Sequence, residues 1–329
     1  MARRSRTYLP LVALAVAGVA AGGLWAVFVP PQGQYGGEAV ERELADLREA
    51  EAQRRPAARA AGAPALCGAL DVRPRGNLRD AELQEVSGLV ASRRTRGLLW
   101  AIEDSGADPV LTALRENGTT AGRWTVPGAE NQDWEDIAAG PGPSGPVLYA
   151  ADIGDNREAR DAVVVYRVPE PASAAGGGTT APPARLELRY PDGAHDAEAL
   201  IVDPRRGTLL IFTKGLEGAG IYAASNPPFG RAASAPLKKV ADGPLALATA
   251  ADVSADGTTV ALRGYFSLVV WQRSGNEPLT QTVRRKPCTS ATALTDGQGE
   301  ALALSRGGTT AWTIAEGTNP PVLRLSPER

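Results

Sequence analysis

Two groups of acidic residues flank one short apolar stretch near the middle of the chain. Residues 133–136 contain three acids before the stretch, and residues 152–156 contain two acids and an amide after it. Apolar residues on either side of a Gly/Pro-rich turn predict a β-hairpin whose open end carries all of these side chains. Carboxylates crowd together where a ligand relieves their repulsion, and oxygen ligands suit divalent cations. The sequence therefore indicates a metal or polar-ligand site at this end of the hairpin.

The same hairpin recurs with a period of about fifty residues, which is the range of propeller blades. Each unit has a polar or acidic start, a short apolar strand, a polar turn and a second apolar strand. The first strands are expected at residues 85–90, 134–138, 196–201, 249–253 and 299–303. The second strands are expected at residues 98–102, 147–151, 208–212, 258–262 and 309–314. This pattern predicts an all-β fold, a β-propeller of five blades, with six blades as the alternative.

Weaker strand signals follow the hairpins, as expected for the outer part of a blade, and include residues 281–284 in the fourth unit. Within the second unit, Gly176 to Gly178 are expected to form a linker-like loop. The fifth unit lacks a fourth strand, whereas residues 66–72 have strand character and no blade of their own. We therefore expect the N-terminal strand to close the ring, which leaves no open sheet edge.

The chain contains two cysteines, Cys67 and Cys288, near opposite ends of the predicted propeller. In an oxidising compartment a disulfide between them is the default expectation. Such a bond would brace the ring closure by up to about 5 kcal/mol in the chain-entropy model. Neither cysteine has the nearby histidine or second cysteine pair that a catalytic thiol or a zinc site requires.

The N-terminus has the pattern of a membrane anchor. Three arginines within residues 3–6 precede an uncharged run at residues 8–29, about the 20 residues that cross a bilayer. We therefore expect residues 1–29 to hold a single transmembrane helix in the plasma membrane, with the rest of the chain outside the cytoplasm. The alternative is a cleaved signal peptide and a secreted protein, but the apolar run extends through Phe28, which is longer than usual for a signal peptide.

The segment between anchor and propeller, residues 30–65, is expected to form a stalk with a short helix. Val40, Leu44 and Leu47 stand at helical spacing and make a narrow apolar stripe. The helix is expected to be a solvated spacer, although the stripe could pair with another copy. The propeller domain is expected over residues 66–329.

In a propeller, the start of each innermost strand and the end of each second strand lie on one face, around the central channel. On this rule one rim of the channel is strongly acidic. The residues that we expect to bind metal are Asp104, Glu135, Asp136, Asp152, Asp155, Glu198 and Glu300. Because loops from several blades give irregular geometry, which Ca²⁺ tolerates, Ca²⁺ is the expected cation.

Some of these acids have an equally good structural explanation. Glu85, Glu135, Glu198 and Glu300 recur at nearly one register. Acids that recur in this way can simply bind backbone amides of the neighbouring blade. Asp104, Asp152, Asp155 and Asn156 do not recur in every blade, which favours a ligand role for them.

The remaining candidates are residues that could contact or transform a ligand. Glu103, Trp134, Asn156 and His195 are expected to bind ligand, and Asp104, His195 and Glu198 are the candidates for acid–base catalysis. His195 is the only histidine; it could be a general base or a metal ligand, and a packed turn residue is as good an explanation as those two together. A Ser-His-Asp hydrolase is not supported, because the chain has no Gly-x-Ser-x-Gly motif.

Six segments give a resemblance to known proteins. They are Glu85-Val-Ser-Gly-Leu89, Leu99-Trp100 to Asp104-Ser105-Gly106, Asp133-Trp-Glu-Asp-Ile137, Asp152-Ile-Gly-Asp-Asn156, Val165-Tyr-Arg-Val-Pro169 and Asp196-Ala-Glu-Ala-Leu200. With them, residues 66–329 resemble a largely uncharacterised family of secreted or membrane-anchored bacterial β-propellers. More distantly, the chain is similar to gluconolactonase/regucalcin-like and SdiA-regulated propellers, many of which bind a divalent cation in the channel mouth. It departs from them in blade count and has no clear equivalent of their Glu/Asn/Asp metal set, so the resemblance does not imply lactonase activity.

The overall charge excludes one class of partner. A net charge of -2 and a pI near 5.7 leave no basic footprint for nucleic acid. The expected function is binding of a small molecule, glycan or protein at the acidic rim. One alternative is a metal-dependent hydrolase of an ester, lactone or phosphoester, in which Asp104 or Glu198 activates water. The other is a non-catalytic scaffold.

Overall fold

The structure is a computed structural model that describes residues 65–216, 218–289, 294 and 297–328, together with the backbone of residues 14–20 and 23–29. Strands β1 (Leu14–Ala20) and β2 (Gly23–Val29) pair antiparallel with each other, where the sequence predicts a transmembrane helix. Valine, phenylalanine and tryptophan in this segment also favour strands. No helix in the described part of the chain is both long enough and apolar enough to cross a membrane. The transmembrane helix stays a prediction, and the predicted stalk lies, up to residue 64, outside the described residues.

The remaining strands form five antiparallel blades, each ordered outward from the centre of a ring. The N-terminal strand of the propeller is β3 (Leu70–Asn77). Blade 1 contains β4 (Val86–Ala91), β5 (Leu98–Glu103), β6 (Val110–Arg115) and β7 (Thr120–Thr125). Blade 2 contains β8 (Trp134–Gly142), β9 (Gly145–Asp152) and β10 (Val163–Pro169), then, after β11 (Gly176–Thr179), β12 (Ala184–Arg189).

Blade 3 contains β13 (Ala197–Val202), β14 (Leu209–Thr213) and β15 (Gly220–Ala224), then, after β16 (Ala233–Pro236), β17 (Lys238–Asp242). Blade 4 contains β18 (Ala248–Val253), β19 (Thr259–Gly264) and β20 (Leu268–Gln272), followed by the short helix α1 (Leu279–Thr282). Blade 5 contains β21 (Gly299–Leu304), β22 (Ala311–Ala315), β23 (Pro321–Pro327) and β3.

The innermost strands β4, β8, β13, β18 and β21 stand side by side around the ring. Every residue of β4, β13, β18 and β21 is buried, on both faces of the sheet. Both faces are buried because each blade lies between two others, and this explains why these strands read as nearly continuous apolar runs. The core lies between blades: Trp100 of blade 1, for example, packs in one cluster with Ile137 and Leu148 of blade 2. The predicted five-bladed propeller is confirmed.

The ring closes as predicted, through the N-terminal strand. β3 pairs antiparallel with β23 from Leu70 opposite Pro327 to Asn77 opposite Pro321. The strand begins later than expected, because residues 65–67 form a turn of 3-10 helix. The predicted disulfide between Cys67 and Cys288 is present, with the two Cα atoms 5.1 Å apart. It ties the segment before β3 to the segment that follows α1, so it links blade 5 to blade 4.

Two local predictions are wrong. Residues 281–284, expected as a strand, contribute instead to α1, which begins after Pro278; proline has no N–H to donate to a sheet ladder. The fourth position of blade 4 is reduced to a single bridge between Val270 and Thr289. The glycines at 176–178, expected as a loop, form β11, which pairs parallel with β7 of blade 1. Gly177 allows this pairing, because a Cβ there would lie 2.6 Å from the Arg123 carbonyl oxygen.

Candidate metal centre at the channel mouth

A β-bulge marks the start of every innermost strand. In each blade the register against the second strand shifts at this point, so one residue of the innermost strand has no partner in the ladder. The five bulge residues are Ser87, Glu135, Glu198, Thr249 and Glu300. The expected register of four glutamates is therefore wrong in blade 1, where Ser87 occupies the position and Glu85 lies exposed two residues earlier.

The bulge side chains fall into two kinds. The Ser87 hydroxyl donates a hydrogen bond of 2.8 Å to the Trp134 carbonyl, and the Thr249 hydroxyl donates one of 2.7 Å to the Gly299 carbonyl. Each of these bonds ties a blade to the next one around the ring. Glu135, Glu198 and Glu300 are longer, and their carboxylates are buried at the mouth of the channel. Three of the five positions thus bring an acid to one place.

Lys214, directly after β14, lies among these glutamates. Its Nζ is 2.8 Å from Glu198 Oε1 and 5.1 Å from the centre of the Tyr265 ring. Burial raises the pKa of Glu198 to about 7, although Lys214 opposes the shift. Burial also raises the pKa of Glu300 well above its usual range, and Lys214 again opposes it. The lysine offsets only part of the cost of burying this much negative charge.

Three acids at the mouth lie close enough to share one ion. Asp104, Asp133 and Glu135 each offer a carboxylate oxygen, and these oxygens lie within 4.8 Å of one another. Burial, helped by the charges of Asp104 and Asp196, raises the pKa of Asp133 to about 7. Burial, helped by Glu198 and Asp104, raises the pKa of Glu135 well above its usual range. A divalent cation at this position would relieve the repulsion that these shifts record. We call these three residues the acidic triad.

Asn131 brings the members of the acidic triad together across two blades. Its side-chain N–H donates to the Asp104 carbonyl at 2.9 Å, and its side-chain oxygen accepts from the Trp134 N–H at 3.0 Å. The loop after β5 is thereby fixed to the start of β8. The Asp104 carboxylate also accepts the backbone N–H of Ser105. The arrangement is held by the protein itself and needs no ligand to assemble it.

Gly154 leaves the space in which the triad carboxylates sit. A Cβ at this position would overlap Glu135 Oε1 and would lie 2.5 Å from Asp133 Oδ2. Glycine is therefore required at this position, because the two carboxylates lie too close to the backbone for a residue with a side chain. Ca²⁺ takes about six to eight oxygen ligands, so three monodentate carboxylates would leave positions for water or for an oxygen atom of a ligand. The donor set fits a hard divalent cation, and Asp104, Asp133 and Glu135 are the residues that would hold it.

The acids after β9 support the triad and are not part of it. The Asp152 carboxylate accepts the Asp133 N–H at 3.2 Å and Arg160 Nη1 at 2.8 Å. The Asp155 carboxylate accepts the backbone N–H groups of Ala159 and Arg160, both at 2.7 Å. Hydrogen-bond donors of the protein therefore already bind both carboxylates, and these hydrogen bonds orient the surrounding loop.

Asp136, also an expected ligand, has a different role. Its carboxylate accepts backbone N–H groups from Ile137 at 2.7 Å, Leu200 at 2.8 Å and Ala251 at 3.3 Å. These donors belong to blades 2, 3 and 4, so one carboxylate ties three innermost strands together. Asp252 acts similarly between blades 4 and 5, where it accepts the Leu304 N–H at 2.7 Å.

Two residues expected to bind ligand lie in supporting positions. Glu103 Oε1 accepts the Gln84 N–H at 3.0 Å and holds the loop that leads into blade 1. Trp134 is fully buried, its indole N–H donates to the Glu130 carbonyl at 2.9 Å, and its ring contacts Tyr166. The structure places Trp134 in the core and not in the wall of the mouth.

The other two residues expected to bind ligand, Asn156 and His195, line a cavity of about 600 Å³ above blades 2 and 3. His195 Nε2 lies 2.9 Å from Asp192 Oδ1 and 2.9 Å from the Tyr222 hydroxyl, which itself donates to Asp192 Oδ2 at 2.8 Å. His195 is therefore held in a fixed position. The cavity also touches Asp196, whose charge raises the pKa of Asp133, so it opens beside the acidic triad.

Sequence reasoning missed Asp133 as a candidate metal ligand. Asp133 stands two residues before a bulge, in the same position as Glu85 and Asp196. The recurrence of an acid two residues before the bulge could have identified Asp133. This position can be aligned between blades only once the bulge residues are known. Asp192 and Tyr222 were also missed: Asp192 is only three residues from His195 but carries no motif, and Tyr222 is brought to His195 from 27 residues away by the folding of blade 3.

Fold and site together define a five-bladed β-propeller with an acidic channel mouth. No protein-family model and no curated protein matches the chain. Among solved structures, it is similar to a gluconolactonase from Xanthomonas campestris, at 13% identity and a TM-score of 0.47 over 83% of this chain and 95% of that chain. It is also similar to a chain of a nidogen/laminin complex, at 12% identity and a TM-score of 0.40 over 70% of this chain and 72% of that one. The first match agrees with the expected distant similarity to gluconolactonase-like propellers, and neither match carries an activity over.

Proposed function

We propose that this protein is an extracytoplasmic β-propeller, anchored in the plasma membrane by its N-terminal segment, that binds a ligand or partner through a divalent cation at the channel mouth. The observation that carries the proposal is the acidic triad, whose carboxylate oxygens lie within 4.8 Å of one another. Raised pKa values at Asp133 and Glu135 are consistent with it: burial is the main cause, and the neighbouring acids add a repulsion that a cation would remove.

Calcium suits this donor set better than magnesium. The ligands come from two blades: Asp104 follows β5, whereas Asp133 and Glu135 belong to the start of β8. Mg²⁺ requires nearly ideal octahedral geometry, but Ca²⁺ accepts irregular sets of oxygen ligands. Open positions on the bound cation would receive an oxygen atom of the ligand.

The cavity beside the triad supplies a place for the rest of a small ligand. Its volume of about 600 Å³ lies within the usual range of small-molecule sites. Arg157 and Lys239 bring positive charge to its lining, Tyr222 brings an aromatic ring, and Leu216 is 40% exposed. A polar, oxygen-rich molecule that spans the cavity and the cation is the ligand that we propose, whether free or part of a glycan or protein.

The proposed location rests on two features. The uncharged run at residues 8–29 has the length of a membrane-spanning segment. The disulfide between Cys67 and Cys288 favours an oxidising compartment outside the cytoplasm.

The cation is tested by thermal unfolding of residues 62–329, a fragment that keeps every strand of the ring. With Ca²⁺ at 100 times its dissociation constant, the expected stabilisation is about 2.7 kcal/mol, or about 5–10 °C in melting temperature. A chelator should reverse the shift, and Asp104→Asn should abolish it. Glu85→Gln, on the same face but outside the triad, is the control and should keep it. If neither Ca²⁺ nor Mg²⁺ shifts the melting temperature, the cation proposal is wrong.

Hydrolysis of an ester, lactone or phosphoester is a second candidate function, favoured by one observation. Asp133 lies in the triad with a pKa of about 7, and a carboxyl group of this pKa can exchange protons efficiently at neutral pH. A substrate panel would then show turnover that a chelator abolishes and that Asp133→Asn lowers by at least about 100-fold. Absence of turnover across the panel, with Ca²⁺ binding intact, would leave binding as the function.

A further inference from the structure

The two ends of the channel carry opposite charge. The inner hairpin turns, which join the first and second strands of each blade, lie at the end away from the acidic triad. Those five turns contain six arginines and two aspartates. The arginines are Arg93, Arg94, Arg96, Arg205, Arg206 and Arg306. One of the aspartates, Asp203, is fully buried and pairs with Arg273 at 2.9 Å, so it contributes no free negative charge to the face. We call the six residues the arginine face.

Backbone carbonyls hold several of these arginines in place without neutralising them. Arg205 donates to the Asp256 and Gly275 carbonyls, both at 2.7 Å, and Arg206 donates to the Asn276 carbonyl at 2.5 Å. Arg93 also faces the buried carboxylate of Asp252, so the exposed members of the face are Arg94, Arg96, Arg205 and Arg206. Guanidinium groups positioned at a surface are suited to the oxygen atoms of phosphates.

The chain joins the propeller at this same end. β22 runs from the turn at Arg306 to the acidic mouth, so β23 returns from the mouth, and β3, antiparallel to β23, starts at the arginine face. Residues 284–286 lie close to this point: Arg284, Arg285 and Lys286 are all exposed and precede Cys288, which is bonded to Cys67 just before β3. Arg285 is paired with Glu277, so Arg284 and Lys286 are the residues that add positive charge near the site at which the segment from the predicted anchor arrives.

We propose that the arginine face docks on the anionic headgroups of a phospholipid bilayer, with the acidic mouth directed away from the membrane. The choice of a membrane as the partner depends on the N-terminal membrane anchor in the proposed function. The charge complementarity and the point of chain attachment are independent observations from the fold. Clustered basic residues that a tether holds near a membrane surface are attracted to anionic lipid. Docking would orient the channel mouth toward the solvent, where it can meet a ligand.

Vesicle binding of residues 62–329 tests the proposal. This fragment lacks the predicted anchor, so failure to bind would not bear on anchoring or on Ca²⁺. We expect it to sediment with phosphatidylcholine vesicles that contain phosphatidylglycerol but not with phosphatidylcholine alone, and to dissociate as salt is raised. Arg94→Glu with Arg96→Glu should lower the partition coefficient by at least about 25-fold, at about fivefold for each arginine removed and more from the two added negative charges.

The matched control reverses two charges at the opposite end of the channel. Arg79 and Arg189 are exposed on the side of the mouth and lie outside the ligand cavity, and Arg79→Glu with Arg189→Glu should leave vesicle binding unchanged. Unchanged melting temperatures would show that both variants fold. Equal binding to both kinds of vesicle, or equal loss in both double variants, would overturn the proposal. Binding to soluble polyphosphate without binding to vesicles would also overturn it and assign the face to an anionic polymer.

Discussion

Glu135 and Asp136 are neighbours in one innermost strand, both are buried, and they have opposite surroundings. The Asp136 carboxylate accepts three backbone N–H groups from three blades. The carboxylates of Asp104 and Asp133 lie beside that of Glu135. Burial of an acid in the channel is therefore not enough to indicate a ligand site. The two cases differ in what surrounds the carboxylate. Hydrogen-bond donors of the protein surround that of Asp136, whereas further carboxylates surround that of Glu135.

The bulge produces this difference. It removes one residue of each innermost strand from the ladder, so adjacent residues no longer simply alternate between the two faces of the sheet. In β8 it allows Glu135 to lie at the mouth while Asp136 reaches the N–H groups of the neighbouring strands. In blades 1 and 4 the same position carries Ser87 and Thr249, which tie blades together. The same β-bulge therefore provides hydrogen bonds between blades in blades 1 and 4 and places an acid of the proposed site in blade 2.

The largest expected effect is on stability, from alanine substitution of the two neighbours. Asp136→Ala leaves three buried N–H groups without their acceptor, and the expected loss in the free energy of unfolding is at least about 3 kcal/mol. Glu135→Ala, measured without Ca²⁺, should cost much less, because it also removes repulsion within the triad. Urea unfolding of both variants decides the point, and similar losses would show that the two acids have the same role.

A smaller effect is expected from filling the space at Gly154. The Cβ of Gly154→Ala would displace Glu135 and Asp133, so Ca²⁺ affinity should fall by about 10 to 100-fold, as for other residues that position metal ligands. Gly307→Ala is the control, since a Cβ there meets nothing within 4 Å. Titration of both variants with Ca²⁺ makes the comparison, and wild-type affinity in Gly154→Ala would place the cation elsewhere.

The smallest expected effect is a dependence of the melting temperature on pH. Asp133, Glu198 and Glu316 have pKa values of about 7 in the folded protein, against about 4 in an unfolded chain. The folded state therefore binds more protons than the unfolded state between these values, and stability is lost as pH rises toward and through about 7. In chelator, we expect a fall of a few degrees between about pH 5 and pH 8.

Calcium should oppose that fall, because the deprotonated triad is the form that binds it. Melting temperatures measured with and without Ca²⁺ should accordingly diverge as pH rises. A melting temperature in chelator that rises over this range would contradict the assignment of buried, proton-binding acids to the mouth.

Much of the fold was predictable, because the alternation of apolar strand, polar turn and apolar strand survives in all five blades. Closure by the N-terminal strand followed from counting strands, and the disulfide from the two cysteines. The Gly-rich strand β11 could not be foreseen, since its partner β7 belongs to another blade. Helix α1 replaced an expected strand because its sequence signal was weak and Pro278 stands directly before it.

The site was less predictable, for a specific physical reason. The position of a bulge depends on pairing with the second strand, so the acids of the repeat could be aligned only to within a residue or two. Glu85 was therefore placed where Ser87 lies, and Asp133 was missed although it belongs to the triad. Asp104 and Glu135 were recognised correctly as residues of one rim. The hydrogen bonds that occupy Asp136 and Asp155, and one of those to Asp152, come from backbone groups, which the sequence does not distinguish.

The most direct test of the acidic triad is whether Ca²⁺ releases protons when it binds. Calorimetric titration of residues 62–329 at about pH 6, in two buffers of different ionisation enthalpy, measures this release. Because Asp133 has a pKa of about 7 and the pKa of Glu135 is also raised by burial, binding should release protons, and Asp133→Asn should reduce their number. Binding heat that is the same in both buffers, or no binding at all, would contradict a cation site built from these carboxylates.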